Sequence, residues 1–165
     1  MLTCSKLWEN AKTAVTSTLG DKRLVSYMFL LLALHISGVL LIYRVVTEFD
    51  IVPHFWFGYV LSEYSSKAAY SVNLQPQLAG KLQNHSWKNM STRQIDFLLR
   101  LAGFLLVGGL FWEGAELAFS SYLGIQTDSF FAFPITLGNI DGAIDVLVGI
   151  LGAVLAFLVA NRKRG

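Results

Sequence analysis

Leu24 to Val46 reads LVSYMFLLLALHISGVLLIYRVV, with no acidic side chain and a single basic one, Arg44, near its end. A helix needs about 20 mainly apolar residues to cross the hydrocarbon of a bilayer. The stretch meets that length, and it is too long for the apolar core of a cleavable signal. It therefore reads as a retained membrane helix. The whole chain agrees: of 165 residues, 54% are hydrophobic and 15% charged, against roughly 45–50% and 25% in soluble domains.

Working outward, residues 1–23 form an N-terminal cytoplasmic or interfacial segment. Leu7, Ala11, Val15 and Leu19 recur every four residues, with Lys6, Glu9 and Lys12 beside them and Trp8 placed for headgroup level. That pattern fits a short interfacial helix, and a frayed tail is the alternative. The one cysteine, Cys4, excludes an intramolecular disulfide and a Cys metal cage.

A second span is expected over about 51–72. It carries His54, Ser62, Glu63, Ser65, Ser66 and Lys67 beside a stripe of Phe57, Leu61, Tyr64 and Ala68. Such a helix belongs inside a bundle, shielded from lipid, and Glu63 and Lys67 are spaced to pair on one face. A third span is expected over about 95–122, opened by a capping box of Ser91 and Gln94. The fourth runs over about 140–160, followed by a basic tail over 161–165. The fold class is thus an all-α polytopic transmembrane bundle of four spans, with 24–160 as its transmembrane domain.

The basic residues give the orientation. Lys6, Lys12, Lys22 and Arg23 precede the first span. Lys81, Lys88 and Arg93 lie between the second and third, with Lys67 and Arg100 at the adjoining helix ends. Arg162, Lys163 and Arg164 follow the fourth. By the positive-inside rule all three regions are cytoplasmic, with both termini on that side of the cell membrane. Arg100 is placed to snorkel to that interface. Two N-x-S triplets, at Asn84 and Asn89, point the other way, and three agreeing basic regions outweigh them.

In that orientation five ionisable residues fall in the outer half of the bilayer: His54, Glu113, Glu116, Asp141 and Asp145, with Asp50 just outside. Glu113 and Glu116 are three apart and Asp141 and Asp145 four apart, so each pair shares a helix face. Charge at such depth is costly and is characteristically kept for an ion path, a proton relay or a bound cation. Histidine with carboxylates suits Mg, Mn or Zn. The plainer reading is interhelical hydrogen bonding, with Asp141 favoured at a helix N-terminus. His35, in mid-span, reads as a neutral imidazole bonded to a neighbouring helix.

Other residues need no functional account. Phe55, Trp56 and Phe57 read as an outer aromatic belt. Gly149, Gly152, Ala153, Ala156 and Ala160 form a face for close helix packing, and Gly108 and Gly109 either pack closely or bend the third span. The sequence holds no Walker loop, dinucleotide fingerprint, HExxH or Gly-x-Ser-x-Gly. Its basic residues do not interleave with aromatics, so nucleic acid is not an expected partner. Membrane lipids are, together with a homo-oligomer or another membrane protein.

The motifs resemble a family. Phe49-Asp50-x-x-x-His54-Phe55-x-x-Gly58, Trp112-Glu113-x-x-Glu116, and Asp141-x-x-x-Asp145 followed by Gly149 and Gly152 look like corresponding stretches of the YjdF-type small integral membrane proteins. The resemblance covers Phe49 to the end, apart from the loop between the second and third spans. It implies a polytopic membrane protein with a shared acidic–His cluster, and it implies no activity. Three functions therefore stand open. The cluster binds a cation or proton for transport, it forms a metal-assisted enzyme acting on a lipid or lipid-linked substrate, or the chain is a non-catalytic assembly subunit.

Overall fold

A computed structural model of the chain describes residues 4–37, 51–74, 77–78, 90–112, 118, 122 and 137–162. Among these the structure is helical throughout, with no strand. The elements are α1 (Cys4–Leu19), α2 (Lys22–Ser37), α3 (Ile51–Ser71), α4 (Thr92–Phe104), a π-helical continuation (Leu105–Trp112) and α5 (Leu137–Arg162).

Local chemistry explains most boundaries. At the end of α1, the Gly20 and Asp21 amides donate to Thr16 and Thr18 carbonyls. Asp21 then caps α2, its carboxylate accepting from the Arg23 and Leu24 amides at 3.1 and 3.4 Å. Pro53 is tolerated in α3 because the first turn leaves its amides without helical acceptors. Past the end of α3, Asn73 adopts a left-handed conformation, φ 54°, which Asn accepts more readily than most residues. The expected capping box is present: Gln94 N donates to Ser91 Oγ, and Ser91 N donates back to Gln94 Oε1. The formation of α1 as a helix displaces the frayed-tail alternative.

Helix α3 is the central element and touches α1, α2, α4 and α5. Its contacts fix the chain directions. Arg23 meets Glu63 while Tyr27 meets Tyr59 and Trp56, so α2 and α3 are antiparallel. Asp96 meets Ser66 and Arg100 meets Glu63, so α4 is antiparallel to α3 as well. Asp145 meets His54, Gly149 meets Gly58 and Ala153 meets Ser62, so α5 runs parallel to α3. From α2 to α5 the directions alternate along the chain. The starts of α2 and α4 and the ends of α3 and α5 gather at one end of the bundle.

The packing face of α5 is made of small residues. Gly142, Gly149, Gly152, Ala153 and Ala156 are buried, while Ile144, Leu147, Leu151, Leu155 and Leu158 are exposed along its other side. Further large apolar side chains stand exposed on α2 (Met28, Phe29, Leu30, Leu32) and on α4 and its continuation (Leu98, Leu105, Leu106, Val107, Leu110). Water does not tolerate so much contiguous apolar surface; lipid does. Among the described residues, Gly142–Arg162 is the one helical segment long and apolar enough to cross a membrane. Part of the first expected span (residues 38–46) and of the third (113–117, 119–121) lies outside the described residues, as do the N-x-S triplet at Asn84 and the acceptor Asn89 of the other. The third expected span changes geometry at Leu105, where the α-helix gives way to a π-helix containing Gly108 and Gly109.

Candidate functional site

Among the described residues, the ion-paired side chains fall into two groups along α3. In its first turn is His54, half-buried and facing α5. Asp145 comes from α5, and His54 Nε2 stands 3.7 Å from Asp145 Oδ2. The approach is set one turn further along. A Cβ on Gly58 would strike the Gly149 backbone, and one on Gly152 would strike the Phe55 carbonyl. Glycine at these positions lets two parallel backbones come close enough for a short Asp and a His to meet. On the other side of Gly149 lies the Phe104 ring, which fixes α4 against the same junction. Ser62 Oγ donates to the Ala153 carbonyl at 3.3 Å and holds the next contact of α3 with α5.

Of the five expected site residues, His54 and Asp145 are brought together. Asp141 lies on α5 one turn before Asp145, but its side chain is outside the described residues, as are Glu113, Glu116 and Asp50. The His35 side chain is likewise outside them. Among the described residues no group of three or more His, Cys, Asp or Glu is arranged to hold a metal.

At the opposite end lies a network that the sequence reading missed. Arg100 on α4 is buried at 3% exposure, its Nη1 2.6 Å from Glu63 Oε1 and its Nε 3.0 Å from Asp96 Oδ2. Ser66 Oγ donates to Asp96 Oδ1 at 2.6 Å. Arg23 on α2 reaches the other Glu63 oxygen, Oε2, at 3.3 Å. Beside it, Lys67 Nζ lies 3.2 Å from Asp21 Oδ2. Three carboxylates (Asp21, Glu63, Asp96) are matched by three cations (Arg23, Lys67, Arg100), drawn from four consecutive stretches of the fold. No described buried polar side-chain atom lacks a partner.

Arg100 does not snorkel outward; it turns inward, because two carboxylates in a protein interior solvate a guanidinium better than a distant interface does. Nor do Glu63 and Lys67 pair with each other. Glu63 is claimed by arginines from two neighbouring helices, and Lys67 by Asp21 at the α1–α2 junction. The i, i+4 spacing of Asp96 and Arg100 was the one local signal of this network.

Outside the membrane-facing helices, desolvation pulls the Asp21 carboxyl upward. The Lys67 ammonium and the Leu24 and Arg23 amides outweigh that and hold it below its ordinary value of 3.8. At the far end, Trp56 stacks on Tyr59 with centroids 5.2 Å apart and donates Nε1 to the Tyr27 carbonyl at 3.2 Å. This part of the expected aromatic belt is bound into the α2–α3 contact.

No curated protein and no solved structure matches the chain. Residues 19–164 match the profile of a family described as a predicted membrane protein, in agreement with the resemblance carried by the motifs. An apolar outer surface, an ion-paired interior and that match over most of the chain lead to one conclusion: the protein belongs to the predicted membrane protein family DUF2238.

Proposed function

We propose that the chain is a four-span membrane protein, with both termini cytoplasmic, whose acidic–His cluster binds a cation or proton in the outer half of the bundle and serves transport. The observation that carries this reading is the meeting of His54 and Asp145 across the α3–α5 junction. Alternating helix directions support the span count. Lys22, Arg23, Lys67, Arg93, Arg100 and Arg162 all fall at the end of the bundle away from His54, which supports the orientation.

The geometry suits a shared ion. Two donor atoms each about 2.1 Å from one metal stand roughly 3.0–3.4 Å apart at octahedral or tetrahedral angles. The His54–Asp145 separation of 3.7 Å is within a small side-chain adjustment of that. Asp141, one turn away on the same helix, and Glu113 and Glu116 are the further ligands we assign to it. A proton suits the same pair, since an imidazole and a carboxylate can exchange one through a single bridging water.

The test is calorimetric titration of the purified protein in lipid nanodiscs with Mg, Mn and Zn, and then with protons. Replacing Asp145 with Asn or His54 with Ala is expected to weaken binding of the favoured cation at least tenfold, or to remove one titrating proton. Unchanged cation binding and unchanged proton uptake in both variants would end this reading.

A further inference from the structure

We propose a second site, for the headgroup of an anionic phospholipid, where α4 begins and α5 ends. A groove of about 350 Å³ there is lined by Arg93, Leu155, Leu158, Val159, Asn161 and Arg162. That volume is at the lower end of the range for small-ligand sites. Its two walls differ in character. Leu155 and Leu158 are exposed and continue the aliphatic stripe of Leu147 and Leu151 along α5, so one wall runs directly into the lipid-facing surface. The other wall carries two guanidinium groups.

Three of the other described basic side chains are spoken for: Arg23 and Arg100 by Glu63, Lys67 by Asp21. Arg93 and Arg162 differ. Among the described residues neither has a carboxylate partner, and both are exposed. Arg93 is positioned over the Phe157 ring, 5.9 Å from its centroid, and that ring is itself packed on Phe97 at 4.9 Å. Cation–π seating of this kind orients the guanidinium without neutralising it. Asn161 donates Nδ2 to the Phe157 carbonyl of its own helix at 2.8 Å.

The carbonyl end of α5 repels an anion, so the two arginines alone make the site. Positive charge beside an aliphatic wall that opens onto the bilayer selects an amphiphile: a phosphate at the arginines and an acyl chain along Leu155 and Leu158. Anionic lipid is enriched where the cytoplasmic leaflet meets such basic positions. The inference rests on α5 lying in the membrane with this end at headgroup level. It does not rest on His54 or Asp145, so a failed ion-binding test leaves it standing.

Native mass spectrometry of the full chain in detergent, with equal phosphatidylglycerol and phosphatidylcholine added, tests it. Preferential retention of phosphatidylglycerol is expected. The R93Q/R162Q pair should lower that retention on the order of tenfold, and R93K/R162K should keep more of it than the Gln pair. Both arginines are exposed, and the thermal midpoint without lipid reports whether the variants fold as the parent does. Equal retention of the two lipids would overturn the proposal, as would full retention by R93Q/R162Q. Displacement of the lipid by the same concentration of inorganic phosphate would reassign the site to a soluble anion. Exclusion of lipid in a dimer would reassign the groove to a second copy of the chain.

Discussion

Among the described residues Arg100 is the one buried cation. Its charge sits at 3% exposure between Glu63 and Asp96. Replacing one member of such a buried set strands the others, at a cost of about 3–5 kcal/mol. Arg100→Met should therefore destabilise the protein by that order in detergent unfolding, and adding Glu63→Gln should recover part of it. If Arg100→Met alone unfolds at the parent midpoint, the network is not structural. Asp21 gives a pH test. Its folded-state pKa is depressed below 3.8, so its contribution is present above that value and is lost as pH falls through the lower folded value. Unfolding monitored from about pH 5 to pH 2 should show stability falling across the acid end, and Asp21→Asn should flatten that fall. The sequence disclosed these residues unevenly. The Ser91–Gln94 cap was legible because it is local. Arg100 was not: its inward turn depends on Glu63 from another helix, which no spacing rule within one helix contains.

At the level of elements, the α3–α5 contact governs the candidate site. The small-residue face of α5 was visible in the sequence as Gly149, Gly152, Ala153, Ala156 and Ala160, and the structure buries the first four and leaves Ala160 partly exposed. Its partner was harder to see. Gly58 stands among aromatic residues and carries no periodic signal of its own, yet its backbone meets Gly149. Gly58→Leu should push α3 and α5 apart, costing about 1–3 kcal/mol as other overpacking changes do. It should also weaken cation or proton binding even though it leaves His54 and Asp145 in place. A variant destabilised but binding normally would separate the junction from the site. The weak apolar signal of α3 has the same origin. Its Ser62, Glu63 and Ser66 lower the hydropathy of the sequence but are buried against neighbouring helices, where lipid never meets them. Hydropathy counts composition, and what matters here is which side of the helix carries it.

On the scale of the whole molecule, α2 to α5 alternate in direction, hide an ion-paired interior and turn aliphatic side chains outward. The family match over residues 19–164 is to a predicted membrane protein, and the sequence made that much legible through its long apolar stretches. The orientation can be checked on a Cys4→Ser background, with single cysteines introduced at Gly20 and at Ile51. A membrane-impermeant maleimide added to intact cells should label the position-51 variant and spare the position-20 variant; the reverse pattern would invert the topology. His54 and Asp145 are proposed as part of an ion site serving transport. Its most direct measurement is flux into proteoliposomes loaded with a proton-sensitive and a divalent-sensitive dye, comparing the parent chain with Asp145→Asn. A cation or proton flux is expected in the parent, falling at least tenfold in the variant. Parent vesicles no leakier than protein-free ones to protons, Mg, Mn and Zn, or a variant flux equal to the parent's, would contradict it.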